Sequence, residues 1–263
     1  MERKGDYNRA LIYLKQSLTL AEESGHKWTI GYCLLYMAQF HGLKGELNQS
    51  IMLYKRSLTI YNDLNDKFMV TRILLSLGGV HAIRGELTHS IKYFKQSLEL
   101  SKEYNFKLFM TFALNGLSES YRMKGDLERA LECIEQSMGL SREVGDLRYI
   151  AFKYDSLIQI LIEKGDLERA RISLSELEQL NNQLKDKPVS FMYLFNKAML
   201  LKTSSRAPNR GKAEKILKKL LQIKDYSIKG RLRALINLCE LLLTELRITN
   251  DLEVLDELNQ FIS

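Results

Sequence analysis

Apolar residues recur along the chain three or four positions apart, in runs of roughly sixteen to nineteen residues, the spacing that lines one face of an α-helix. In one run they are Leu127, Ala130, Leu131, Ile134, Met138 and Val144. Short breaks separate the runs, and the breaks keep a strict register. KGDYNRA (4–10), KGELNQS (44–50), RGELTHS (84–90), KGDLERA (124–130) and KGDLERA (164–170) return every 40 residues without insertion or deletion. A second set lies half a period away, at Gly25, Asn65, Asn105 and Gly145, with Lys185 as a degenerate fifth. Glycine and asparagine enter the left-handed conformation that closes a helix, so each repeat holds two helices and two stops. A fixed period of this length is the mark of a repeat architecture.

The acid after each glycine of the first set (Asp6, Glu46, Glu86, Asp126, Asp166) falls at the start of the next helix. There it caps free amides or meets the positive end of the helix dipole. Glutamate caps less well than aspartate, so the dipole is expected to carry more at Glu46 and Glu86. A serine recurs at Ser17, Ser57, Ser97 and Ser137. These mark places where two helices approach closely, each hydroxyl being expected to bond the carbonyl one turn back in its own helix.

Paired helices with these small and large positions resemble the tetratricopeptide repeat family, in a long variety whose period is 40. Three copies carry the resemblance: Leu34, Met37, Ala38, His41, Ser50, Tyr54, Ser57; then Leu74, Leu77, Gly78, His81, Ser90, Phe94, Ser97; then Leu114, Leu117, Ser118, Tyr121, Ala130, Ile134, Ser137. The proline that usually follows the second helix is absent, with Asn62, Lys102 and Arg142 in its place. The fold implied is all-α, a right-handed superhelical solenoid of antiparallel helix pairs. A second helix at 5–24 without its partner would be followed by pairs at 28–64, 68–104, 108–144 and 148–184. Residues 186–263 then form a degenerate repeat and capping helices at about 227–247 and 250–262. Tyr7, Leu11, Leu14 and Leu18 give the first helix an apolar face that only one neighbour would cover, which favours self-association through the N-terminal end or a longer array.

Composition agrees with long helices, since only Pro188 and Pro208 interrupt the chain. The stretch 235–246 is interrupted by Asn237, Glu240 and Glu245, so no membrane span is expected. Cys33, Cys133 and Cys239 stand in neither ligand nor disulfide spacing and suit a reduced, cytoplasmic setting. The net charge of +7 is local: residues 202–233 hold eleven Lys or Arg against two acids. Nucleic acid is not the favoured partner of that stretch, because Tyr226 is its only aromatic residue able to stack on a base.

No nucleotide loop, zinc-protease or nucleophile-elbow motif occurs, and the lone glycine of KGDLERA lacks the successive amides of a phosphate nest. No catalytic group, metal ligand set or cofactor is therefore expected. His41 and His81 replace the family's packing aromatic, while His26 and His89 belong to turns at the surface. The resemblance implies binding instead, with the first helices lining a concave groove. Away from the packing positions these helices carry Tyr32 and Gln39, then Arg72, then Phe112, Asn115, Glu119 and Arg122, then Phe152, Asp155 and Gln159. Leu35, Leu75 and Ile83 share those faces but are also candidates for packing between repeats. The function expected is a non-catalytic scaffold or adaptor that holds a partner peptide or helix. The alternative is a ligand- or peptide-sensing module of a larger signalling or transcription regulator. The glycine of the repeated heptad is punctuation, so Gly125→Val should cost about 1–3 kcal/mol in urea unfolding and remove no specific chemistry.

Overall fold

The computed structural model describes residues 2–223 and 227–249, and every regular element among them is an α-helix. In chain order they are α1 (Glu2–Glu23), α2 (Lys27–Leu43), α3 (Leu47–Asp63), α4 (Lys67–Ile83), α5 (Leu87–Glu103), α6 (Lys107–Met123), α7 (Leu127–Val144), α8 (Leu147–Lys164), α9 (Leu167–Leu184), α10 (Lys187–Lys202), α11 (Ala207–Leu221) and α12 (Ile228–Thr249). The helix expected at 250–262 lies outside the described residues, as do Lys224 and Tyr226 of the basic stretch.

The chain divides into two compact units, Met1–Gly145 and Asp146–Ser263. In the first, α2 packs on α3, α4 on α5 and α6 on α7, and the first helices also meet one another, α2 with α4 and α4 with α6. In the second, α8 packs on α9 and α10 on α11, with α8 against α10 and α11 against α12. Each unit has its own apolar core, built around Leu34, Tyr61, Ile73 and Leu77 in the first and Phe195, Leu217, Leu220 and Leu238 in the second. Leu11 is buried, and Leu14 and Leu18 pack against the first core. Among the described side chains of α1, the large apolar ones left exposed are Ile12, Tyr13 and Leu20, and Tyr7 of the expected face lies outside them. Gly5 lies inside α1, so the first heptad does not separate two helices as the other four do.

The stops close in the left-handed conformation: φ is +83° at Gly125, +55° at Asn65, +53° at Asn105 and +49° at Lys185. The acids that follow divide into two kinds of joint. Asp126 and Asp166 each accept a hydrogen bond from an amide of their own helix, Arg129 N and Arg169 N, both at 3.2 Å. Glu46 and Glu86 make no such bond. Their extra methylene carries the carboxylate back across the turn to Nδ1 of His41 and His81, five residues earlier. To the larger share expected of the dipole at these glutamates the structure adds a histidine bond that the sequence reading did not include. The histidine bond holds both carboxyl groups below the ordinary glutamate range.

Three of the four recurrent serines, Ser57, Ser97 and Ser137, are buried where helices approach closely, but they bond across the interface instead of along their own helix. Ser57 Oγ donates to Gly31 O at 2.7 Å, Ser97 to Thr71 O at 3.3 Å and Ser137 to Thr111 O at 2.9 Å. The facing carbonyl, already bonded within its helix, offers a second lone pair at a range a one-carbon side chain can reach. Ser50 and Ser118 make the matching bonds near the other end of their pairs, to Ala38 O and Ala130 O.

The buried ring of Phe94 needs the same closeness. It lies over Gly78 and Gly116, where an added Cβ would come within 2.8 and 2.4 Å of the ring. Gly139, by contrast, has open space around it on α7. Gly116→Ala should therefore destabilise by about 1–3 kcal/mol through overpacking. Gly139→Ala should stabilise by up to about 1 kcal/mol through helix propensity. Denaturant unfolding of the two variants measures the contrast, and equal effects would refute it.

Candidate functional site

The half-buried faces of the first helices carry two polar clusters, one in each unit. In the first unit, Trp28, Tyr32 and Tyr36 follow one another at intervals of one turn on α2. The Trp28 and Tyr32 rings stack at 5.2 Å, and Tyr32 and Tyr36 lie 4.6 Å apart. From α4, Arg72 Nη2 donates to the Tyr36 hydroxyl at 3.1 Å, and its guanidinium stands 5.2 Å from the centre of that ring. The hydroxyl bond between the two tyrosines pushes the phenol of Tyr32 up and pulls that of Tyr36 down, with Arg72 adding to the second effect. The result is an aromatic row braced by one cation.

Farther along that unit, Phe112 and Asn115 are half-buried on α6. Arg122 is forked onto Glu119 of the same helix at 3.0 and 2.6 Å, so recruiting either side chain means breaking that pair. Gln39 is exposed. Leu35 is buried, Leu75 half-buried and Ile83 exposed.

In the second unit, Phe152 is exposed while Asp155 is the centre of a network. Asp155 Oδ1 accepts from Asn196 Nδ2 of α10 at 2.6 Å and from Gln159 Nε2 at 3.0 Å. Its Oδ2 lies 3.5 Å from Arg233 Nη1 of α12, whose guanidinium sits 4.4 Å above the Phe195 ring. Asn196 Nδ2 also donates to Met192 O at 2.9 Å. Two acceptors around the amino end fix the orientation of this amide. Asn196 Oδ1 and Arg233 Nη2 are left buried and without hydrogen-bond partners. A carboxylate thus holds one free acceptor and one free donor beside it.

Of the groove residues expected from the sequence, the structure links Tyr32 to Arg72 through Tyr36 and brings together Glu119 with Arg122 and Asp155 with Gln159. Sequence reasoning missed Trp28, Tyr36 and Asn196 and gave Arg233 only to a basic stretch. The spacing of Trp28, Tyr32 and Tyr36 was a usable signal. Asn196 had none, because the period fades before it.

The family described as MalT-like TPR region matches residues 2–261. The chain belongs to this family. No curated protein sequence matches it. Among solved structures it is similar to aspartyl phosphate phosphatase F from Bacillus subtilis at 12% identity, covering 97% of this chain and 68% of that one, with a TM-score of 0.77. A Rap protein complexed with competence and sporulation factor is similar at 13% identity, over 99% of this chain and 69% of that one, with a TM-score of 0.69. A STAND-class signal transduction ATPase with a tetratricopeptide repeat sensor, from Pyrococcus horikoshii, is 16% identical over 85% of this chain and 36% of that one, with a TM-score of 0.64. At these identities the likeness is one of fold. It agrees with the twelve described helices, so the MalT-like TPR chain is an all-α, TPR-like repeat solenoid. No described helix is long and apolar enough to cross a membrane.

Lys153 stands apart from both clusters. It is 3% exposed at the repeat position of Cys33, Ile73 and Ala113, and burial pushes its amine down to about 8. Below that pH the folded state holds a charge in an apolar setting, and the cost is present in full. Between about 8 and the ordinary lysine value near 10.4 the unfolded chain binds more protons, so stability rises with pH. Lys153→Met should add about 1–3 kcal/mol at pH 7 and flatten this rise; urea unfolding at pH 7 and pH 10 measures both.

Proposed function

We propose that this MalT-like TPR chain is a non-catalytic interaction module that takes an extended peptide segment on the first-helix face of its second unit. The observation that carries the reading is the unpartnered pair beside Asp155, the acceptor Asn196 Oδ1 and the donor Arg233 Nη2. A peptide unit offers the complement, one N–H and one C=O. Each buried polar atom left unpaired costs about 1–3 kcal/mol, and a bound backbone recovers that cost. The half-buried Arg233 and the exposed Phe152 supply anchors of the kinds that dominate interfaces. In the first unit, the row of Trp28, Tyr32, Tyr36 and Arg72 supports a second contact surface, to which apolar and aromatic side chains of a partner would be drawn.

Nucleic acid is a weaker candidate for the basic stretch. Lys202 is paired with Glu240 at 2.6 Å, Lys218 with Glu214 at 2.5 Å and Arg233 with Asp155, which leaves less free positive charge than the sequence count implies. The second reading, a sensor module within a larger regulator, is supported by the family and by the likeness to a repeat described as a sensor.

A displayed peptide library panned against the whole chain tests the proposal. Enriched peptides should bind the wild type, and Asn196→Leu should weaken them by roughly ten- to a hundredfold, the loss of a buried hydrogen bond to a charged network. Helix content by circular dichroism should be unchanged. Equal binding by wild type and variant would reject the second-unit site.

A further inference from the structure

The turn between α4 and α5 holds a cluster that the peptide reading does not use. His81 near the end of α4, Glu86 at the N-cap of α5 and His89 in the first turn of α5 each bring one ligand-type atom to within 4.8 Å of the other two. His81 is 6% exposed, and its ring is clamped between His89 and Tyr93, with centroids 5.3 and 5.2 Å away. Its Nδ1 bonds Glu86 Oε2 at 2.5 Å, while its Nε2 is buried with no hydrogen-bond partner. The other carboxylate oxygen, Glu86 Oε1, meets Arg84 Nη2 at 2.8 Å. The cluster thus joins a pre-oriented imidazole, a carboxylate already anchored on one side by a cation, and a second imidazole on the exposed surface.

We propose that His81, Glu86 and His89 form a binding site for a zinc-type divalent ion that ties the end of α4 to the start of α5. Two imidazoles and one carboxylate are a ligand set that zinc accepts, with the fourth position left to water. Tetrahedral bonds of about 2.0–2.2 Å put ligand atoms roughly 3.3–3.5 Å apart. The widest pair must therefore close by about 1 Å, and the short histidine–glutamate contact must open by a similar amount. His89, being exposed, can supply the movement by a change of rotamer. Arg84 can turn into solvent as the ion takes over the neutralisation of Glu86.

The preceding repeat supplies a comparison inside the same chain. His41 and Glu46 make the same pair, but the residue in the place of His89 is Gln49. That repeat has two ligands where this one has three, so the ion should distinguish them.

Zinc chloride titrated into the whole 263-residue chain by calorimetry tests the site against its variant His89→Gln. This substitution copies the natural residue of the preceding repeat at an exposed position and leaves the bond between His81 and Glu86 in place. The wild type should take up one equivalent, and zinc should raise its melting midpoint. Since loss of an outer-shell partner alone weakens metal sites by about 10–100-fold, His89→Gln should lose at least about tenfold in affinity, together with the thermal shift. Uptake by the variant equal to that of the wild type would assign the ion to other groups, such as the cysteines, and overturn the site. So would the absence of any binding by the wild type at 100-fold excess.

Discussion

The architecture depends on how closely the two helices of a pair can approach. At Ser57, Ser97 and Ser137 the side chain is short enough for its hydroxyl to reach a carbonyl of the facing helix, and at Gly78, under the ring of Phe94, no side chain is present at all. Larger apolar side chains, among them Leu34, Tyr61, Ile73 and Leu77, fill the rest of the interface, and the small residues fix where along each helix the approach occurs. A cross-helix bond of this kind satisfies its own polar atom and fixes the register between partners. Because the Phe94 ring also presses on Gly116 of the following pair, closeness within one pair is passed on to the next.

This dependence explains what was legible in the sequence. Packing positions repeat because their geometry repeats, so the period, the stops at Asn65, Asn105 and Lys185, and the resemblance through Gly78 and Phe94 could be read directly. The direction of the serine bonds could not, since a serine offers the same chemistry to its own helix and to the one opposite, and only the spacing between helices decides. The role of Glu46 and Glu86 was hidden for a similar reason. The extra methylene looked like a poorer cap, whereas with a histidine five residues earlier it makes a different joint.

The candidate sites were less legible because they use positions that the repeat leaves free. Arg72 and Tyr36 come together from neighbouring first helices, and no periodic signal pairs a tyrosine with an arginine of the next repeat. Asn196 and Arg233 lie where the period has lapsed, yet both are held by Asp155, which the repeat register did pick out. The network was thus readable at Asp155, on its regular side, and invisible at Asn196 and Arg233, on the degenerate side. Arg122 shows the converse: the register marks it as a groove candidate, but Glu119 one turn away already occupies its guanidinium.

The two kinds of joint also bear on how such arrays grow. A repeat closed by Asp126 or Asp166 carries its cap within the helix that follows, so duplication can cut the chain at the preceding stop and lose nothing. A repeat closed by Glu46 or Glu86 keeps half of its joint on the helix before. Exchange of such a unit keeps this bond only when His41 or His81 travels with its glutamate, so the turn holds together as a cassette whose two halves belong to different helices.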